Sequence, residues 1–260
     1  MKFHTFGDPS KPAFMTLPGT ICHWSAGFDT YREELQKFFY VVMVSYDGFD
    51  ETEDTIYPDM PTEAERIERY VQDNLSGRVF CTYGCSLGGS FAAYLLARRR
   101  IRMDHIIIGS SDLDQASVLG ASLQAALVSR ILHGLLQSGK LPDWMQKRMD
   151  RSPEEKRAYS EQFMKLLSSR DMSFVKKQSV RNQFYSDLVT PLPDKLEVPG
   201  SQIHVFYAKK MGEKYLGRYM RHFARPDIRT HDMEHEELFI CHPDLWMAEV
   251  LDCCGMKEKI

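Results

Sequence analysis

The motif Gly84-Cys85-Ser86-Leu87-Gly88-Gly89 constrains this chain more than any other part of its sequence. It follows the short apolar run at 79–82 and precedes a helix-like run at 90–98. In this context a G-x-S-x-G motif predicts a sharp turn from a strand into a helix, with the central serine in a strained backbone conformation. Small neighbouring residues let the strand and the helix approach, so that one side chain projects alone. Ser86 is therefore a candidate nucleophile.

The composition indicates a globular protein without special partners. The chain has 260 residues, of which 43% are hydrophobic, so it is long enough to bury a full core. A net charge of −3 and the lack of a prominent basic face predict no nucleic-acid partner. We find no run of about 18 apolar residues and therefore expect no membrane span. Six cysteines without framework spacing and an N-terminus without a signal segment predict reduced thiols and a cytoplasmic location.

Short apolar runs alternate with helix-like segments over much of the chain. Strands are predicted at 2–6, 13–17, 41–46, 79–82, 105–109, 202–207 and 227–230. Strands of this kind, each followed by a helix, are typical of a parallel sheet that is covered on both faces. The sequence therefore predicts an α/β fold with a mostly parallel central sheet and helices on both sides.

The strand pattern is interrupted between residues 113 and 189. Helices are predicted there at 116–137, from Ser152 onwards, and at 174–188, with Ser152 as an N-cap and Pro153 at the first helical position. We therefore expect a core formed by residues 1–112 and 190–260. Residues 113–189 are expected to form a helical lid over the carboxyl ends of the strands, where open α/β sheets bind ligands.

The first predicted lid helix carries an apolar stripe. Its members recur every four residues, at Leu119, Leu123, Leu127, Ile131 and Leu135. Such a stripe is buried against another element in most proteins. Two interpretations remain open: the stripe covers the catalytic mouth, or it packs against a neighbouring helix.

The order of these features resembles the α/β-hydrolase superfamily, and the resemblance covers almost the whole chain. The motif around Ser86 follows a strand, and a helical insertion comes after the next strand. Pro18-Gly19-Thr20 ends an early strand where the family often has His-Gly, and His235 lies just beyond the last predicted strand. The family's chain order is serine, acid, histidine. The resemblance implies the α/β-hydrolase fold, with Ser86 as nucleophile and His235 as its base.

The third member of the catalytic triad is less clear, because the sequence departs from the usual pattern. The family commonly places an aspartate a few residues after the strand that here ends near Tyr207. This chain has no aspartate in that loop, and Glu213 is its first carboxylate. Some members take the acid from the end of the preceding strand, which here corresponds to Asp112. Both residues stay candidates, and Asp112 is slightly favoured.

Two further features concern the site. The backbone N–H groups of Leu87 and Thr20 are the expected oxyanion hole, because the negative oxygen of a tetrahedral intermediate needs fixed donors. The spacing of His231 and His235 could suit a metal on a helix, but the preceding residues are typical of a strand and a loop. We therefore expect neither a metal nor a cofactor.

These observations predict a serine hydrolase. The expected activity is that of a carboxylesterase, which would act on a small or acyl ester through an acyl-enzyme on Ser86. Ester is preferred to amide because esters are commoner substrates in this superfamily. A catalytically silent protein that uses the same fold to bind a small ligand is the alternative. The sequence leaves open whether the chain forms a homodimer.

Overall fold

A seven-stranded β-sheet forms the centre of the protein. The computed structural model describes residues 1–256. The strands are β1 (Lys2–Phe6), β2 (Ala13–Leu17), β3 (Tyr40–Ser45), β4 (Arg78–Gly84), β5 (Arg102–Ile108), β6 (Gln202–Ala208) and β7 (Asp227–His231). Their spatial order is β1-β3-β2-β4-β5-β6-β7, with β1 antiparallel to β3 and all other neighbours parallel. The predicted fold class, a mostly parallel α/β sheet, is confirmed.

Helices pack on both faces of this sheet. Within residues 1–256 they are α1 (Phe28–Phe38), α2 (Met60–Asn74), α3 (Leu87–Arg98), α4 (Val118–Ser138), α5 (Asp143–Asp150), α6 (Glu154–Leu167), α7 (Lys177–Val189), α8 (Glu213–His222), α9 (Glu237–Cys241) and α10 (Pro243–Cys253). Successive strand residues point to opposite faces. Accordingly, Ile107 of β5 joins a core cluster with α1 and α10, whereas Ile106 and Ile108 join a second cluster with α2, α3 and α8.

Residues 113–189 contain helices α4 to α7 and no strand, and β6 then continues the sheet beside β5. The predicted N-cap at Ser152 is wrong. Helix α6 begins at Glu154, and its N-cap is Pro153, which makes no side-chain cap hydrogen bond. The reason is that the Ser152 hydroxyl donates to the Arg148 carbonyl oxygen at 3.1 Å. The hydroxyl therefore bonds a carbonyl group near the end of α5 and does not cap the N–H groups at the start of α6.

The first three residues of the apolar stripe on α4 are exposed, so they cover neither the catalytic mouth nor another helix. Leu119, Leu123 and Leu127 are 80%, 75% and 63% exposed. The buried face of α4 carries small residues instead, among them Ala121 and Ala125, and this face lies close to α7. Small side chains allow a close helix–helix approach, and that packing turns the leucines outward. By length and composition alone, α4 is long and apolar enough to cross a membrane. In the protein, 22% of its most apolar stretch is buried.

Candidate active site

Ser86 occupies the turn between β4 and α3 in a strained conformation, with φ 50° and ψ −113°. The turn is closed by hydrogen bonds from Gly88 N–H to Cys85 O at 2.7 Å and from Gly89 N–H to Ser86 O at 2.8 Å. Side chains would not fit at Gly84 and Gly88, two residues before and two residues after the serine. A Cβ at Gly84 would lie 2.1 Å from Gly88 O. The predicted sharp turn forms because glycines occupy the positions where two backbone segments approach too closely for a Cβ atom.

Substitution of Gly88 by alanine should therefore disrupt the turn. The added Cβ would lie 2.0 Å from the Leu17 carbonyl oxygen, and backbone on both sides must shift to relieve the overlap. We expect a loss of roughly 3 kcal/mol in the free energy of unfolding. Gly134→Ala in α4 is the matched control, because nothing lies within 4 Å of its Cβ. That variant should gain about 0.5–1 kcal/mol. Urea denaturation of both variants measures the difference, and equal stabilities would contradict the packing argument.

His235 lies in the loop between β7 and α9 and faces the serine. Its Nε2 atom is 3.1 Å from Ser86 Oγ, within hydrogen-bond distance. The loop is held from the other side by α6, where the Tyr159 hydroxyl donates to the His235 carbonyl oxygen at 2.6 Å. Both Ser86 and His235 are partly exposed, so a substrate can reach them. The fold thus brings together two residues that are separated by 149 positions in the chain.

The two candidate acids occupy different surroundings. Asp112 follows β5, the neighbour of the strand that carries the serine, and it lies near the His235 ring. Glu213 is exposed on the first turn of α8. Within residues 1–256, no carboxylate is hydrogen-bonded to the second ring nitrogen of His235, Nδ1. Asp112 therefore interacts electrostatically with His235, whereas Glu213 is exposed at the start of α8.

The loop that carries Asp112 is fixed by helix α8. Arg218 donates to the Asp112 carbonyl oxygen at 2.8 Å and pairs with Asp114 at 2.5 Å. The Tyr219 hydroxyl donates to the Ser111 carbonyl oxygen. Burial raises the pKa of the Asp112 carboxyl, and the charge of Asp114 adds to this. The hydrogen bond that the Asp114 backbone N–H donates to the carboxylate acts in the opposite direction, as do the charges of protonated His235 and of Arg218.

A second carboxylate from α7 lies close to Asp112. Its burial, together with the charge of Asp112, raises the pKa of Asp187 to about 8. One of its oxygens, Oδ1, is enclosed and has no hydrogen-bond partner among residues 1–256. A neutral Asp187 at pH 7 keeps a second negative charge away from the candidate triad acid.

The raised pKa of Asp187 should make stability depend on pH. The unfolded chain loses this proton near pH 3.9, whereas the folded protein keeps it up to about pH 8. Between these values the folded state binds more protons, so the free energy of unfolding falls as pH rises, by at most about 1.4 kcal/mol per pH unit. Asp187→Asn should remove this contribution. Urea denaturation at pH 5 and pH 8 tests it, and identical pH slopes for both proteins would contradict the assignment.

The expected oxyanion hole lies beside the serine. A Cβ built on Gly19 would be 3.5 Å from Ser86 Cβ, which shows how closely this loop approaches. Among the residues that the structure describes, the backbone N–H groups of Thr20 and Leu87 donate no hydrogen bond. Leu87 is the first residue of α3, where helix N–H groups have no acceptor within the helix. Both N–H groups can therefore donate a hydrogen bond to a ligand oxygen.

Two residues of this region were not found from the sequence. Gln183 of α7 is completely buried, and its Oε1 accepts a hydrogen bond from Ile21 N–H at 2.9 Å. It thereby ties the Gly19 loop to the helical segment. The second is Glu236, whose Oε1 accepts a hydrogen bond from the Ser86 backbone N–H at 2.7 Å. A glutamate directly after the predicted base was a visible signal, whereas nothing in the sequence marked a glutamine 162 positions from its partner.

Metal-ligating side chains meet elsewhere. His204, Asp227 and Cys253 place one potential ligand atom each within 4.8 Å of one another. The Arg229 guanidinium already binds Asp227 at 3.2 Å and would repel a cation there. His231 lies in β7, so it does not share a helical face with His235. A cavity of about 630 Å³ between α1 and α10 also lies away from the site, since neither Ser86 nor His235 lines it.

Solved structures with the same architecture identify the fold. An alpha/beta hydrolase family protein from Desulfitobacterium hafniense superposes with a TM-score of 0.78 at 14% identity, covering 96% of this chain and 99% of that one. A thermophilic esterase from Thermogutta terrifontis gives a TM-score of 0.70 at 16% identity, covering 96% and 93%. The enol-lactonase from Burkholderia xenovorans gives 0.67 at 14% identity, covering 98% and 96%. No protein-family model and no curated protein matches the sequence. The chain has the α/β-hydrolase fold.

Proposed function

We propose that this protein is a serine hydrolase that cleaves carboxylic esters through an acyl-enzyme on Ser86. One observation carries the proposal: a serine in a strained turn lies 3.1 Å from the ring of His235. A serine hydroxyl becomes a strong nucleophile when an adjacent base takes its proton. An ester substrate is supported by the names of two similar structures, an esterase and an enol-lactonase.

The geometry supports a two-step mechanism. Ser86 Oγ attacks the ester carbonyl carbon while His235 Nε2 takes the hydroxyl proton. The carbonyl oxygen becomes an anion, which the N–H groups of Leu87 and Thr20 stabilise; loss of one such donor typically costs about 2.7–4 kcal/mol. His235 then gives its proton to the departing alkoxide, which leaves as an alcohol. Water attacks the acyl-enzyme by the same route, and the carboxylic acid and free Ser86 result.

A decoy serine in the same chain allows a strict test. Ser25 Oγ lies 2.9 Å from His23 Nδ1, and His23 Nε2 lies 2.9 Å from Glu51. This arrangement also joins a serine, a histidine and a carboxylate, but Ser25 is only 2% exposed. A fluorophosphonate probe should label the wild type and Ser25→Ala at one site per chain. It should not label Ser86→Ala. An unlabelled wild type, or labelling lost only in Ser25→Ala, would overturn the proposal.

A ligand-binding protein without catalysis is the second candidate function. It is favoured by one observation, namely that His235 Nδ1 has no carboxylate partner among residues 1–256. A short-chain carboxylic acid would then raise the melting temperature equally in the wild type and in Ser86→Ala, with no covalent adduct in either. Hydrolysis of p-nitrophenyl acetate that disappears in Ser86→Ala would exclude this candidate.

The role of the helical segment, the cellular location and the substrate class are also proposed. We propose that residues 113–189 act as a cap over the site, since Gln183 and Tyr159 from this segment contact the oxyanion loop and the base loop. Six free cysteines support a cytoplasmic location. The substrate is proposed to be a small or acyl ester, with no nucleic-acid partner. Whether two copies associate can be measured by analytical ultracentrifugation.

A further inference from the structure

Glu236 is a buried carboxylate that the mechanism above does not use. Only 2% of the residue is exposed, and it follows the proposed base directly in the chain. Its backbone lies in the left-handed region, with φ 57°, which is unfavourable for a residue other than glycine. Burial of a carboxylate is also costly unless its oxygens are hydrogen-bonded. Strain and burial at one residue next to the site indicate a specific role.

Both oxygens of Glu236 have partners in the strand and turn that carry the nucleophile. Oε1 accepts a hydrogen bond from the backbone N–H of Ser86 at 2.7 Å, and Oε2 accepts one from the Tyr83 hydroxyl at 3.1 Å. Room for the carboxylate comes from Gly109, where a Cβ would lie 2.6 Å from Oε1. Neither oxygen is bonded to the His235 ring, so Glu236 is not a candidate for the acid that orients the imidazole.

The hydrogen bond to Ser86 joins the two halves of the proposed catalytic pair. The strained turn leaves the Ser86 N–H without a backbone acceptor among the described residues, and Glu236 Oε1 satisfies it. Because Glu236 is covalently attached to His235, this hydrogen bond links the base loop directly to the nucleophile turn. The charge of Glu236 also adds to the effect of burial in raising the pKa of the Cys22 thiol to about 12. The carboxylate is thus close to the oxyanion loop as well.

We propose that Glu236 is a positioning residue, whose side-chain oxygen holds the Ser86 amide and so keeps Ser86 Oγ and His235 Nε2 within reach. The inference rests on the proposed function, because it concerns the geometry of that reaction. The acceptor oxygen, and not the charge, carries the role. Glutamine should therefore replace glutamate, since its amide oxygen can accept from Ser86 and its NH₂ group can donate to Tyr83.

The test compares variants by rate per titrated active site. A fluorophosphonate first counts the reactive sites, and p-nitrophenyl acetate hydrolysis then gives kcat and KM for those sites alone. Glu236→Ala should lower kcat by roughly 100-fold with little change in KM, because small displacements of reacting groups cost about that much. Glu236→Gln should stay within about threefold of the wild type. Counting sites separates slower chemistry from partial unfolding, which would only reduce the number of sites.

The neighbouring glutamate provides the matched control. Glu237, the first residue of α9, accepts a hydrogen bond from the Glu234 backbone N–H and has no hydrogen bond to Ser86 among the described residues. Glu237→Ala should therefore keep kcat within about threefold. If Glu236→Ala does not fold, Glu236→Asp replaces it, because the shorter side chain keeps the charge but withdraws the oxygen. The same loss in kcat is expected.

Two results would overturn the inference. In the first, Glu236→Ala has the kcat of the wild type per titrated site. In the second, Glu236→Gln is as slow as Glu236→Ala, which would assign the effect to charge. In both cases the wild type still reacts, so the proposed function stands. A wild type that neither binds the probe covalently nor hydrolyses the ester overturns the proposed function itself, and Glu236 then has no reaction to position.

Discussion

Replacement of Ser86 or of His235 by alanine is expected to lower kcat for p-nitrophenyl acetate by about 10⁶-fold in each case. Without Ser86 the nucleophile is absent, and without His235 no base lies within reach of the Ser86 proton. The two residues depend on each other, because the proton passes from the Ser86 hydroxyl to His235 Nε2, and these two atoms are 3.1 Å apart. The residual rate should reflect only binding and the oxyanion donors.

The double variant discriminates between a catalytic pair and two unrelated residues. Because the two side chains act as a unit, the Ser86→Ala/His235→Ala variant should be no slower than either single variant. Ser25→Ala, which removes the decoy serine, should leave kcat within about threefold. Independent effects that multiply in the double variant would show that Ser86 and His235 do not share a step. Single-turnover measurements with the same ester would detect this.

Asp112→Asn is expected to lower kcat by about 10⁴-fold, whereas Glu213→Gln should change it less than about threefold. The triad acid selects the histidine tautomer and stabilises the imidazolium that forms when Ser86 loses its proton. Asp112 lies in the electrostatic environment of His235, but Glu213 is exposed at the start of α8. Asparagine preserves the shape of the side chain while removing its charge, so packing should change little.

Asp114→Asn is the control for this comparison, because Asp114 lies in the same loop and pairs with Arg218. It should affect kcat far less than Asp112→Asn. A large loss in Glu213→Gln would transfer the role of acid to α8. Small losses in both Asp112→Asn and Glu213→Gln would mean that His235 works without a carboxylate. The pH dependence of kcat/KM, measured for each variant, shows whether the same base still titrates.

The fold was predicted from the sequence because its determinants are local. An apolar run such as Val41–Val44 is buried on both sides only in a sheet that is covered on both faces. In the structure all four residues are completely buried. The turn at Ser86 is equally local, since the glycines that permit it lie within four residues of the serine. Predictions that depended on which face of a helix finds a partner were less successful. In α4 the pattern had the correct period, but small residues such as Ala121 and Ala125 were buried, whereas Leu119, Leu123 and Leu127 were exposed.

The sequence favoured Asp112 over Glu213 as the triad acid only slightly. Asp112 and Glu213 both follow neighbouring strands of the sheet, so the motif order alone could not choose between them. The position of Asp112 depends on how α8 holds the 111–114 loop, through Arg218 and Tyr219. These contacts join segments more than 100 residues apart. Contacts between segments so far apart cannot be predicted from a local sequence pattern.

By itself, the sequence determined the sheet, the strained turn and the serine at its centre, because sterics and hydrophobic burial act between near neighbours in the chain. Only the tertiary structure decided what surrounds that serine. It placed Asp112 near the base, left Glu213 exposed, and joined Glu236 to the Ser86 N–H, 150 positions earlier in the chain. The physical reason is that hydrogen bonds and charge interactions act over a few ångströms. Their partners are fixed only once the whole chain has folded.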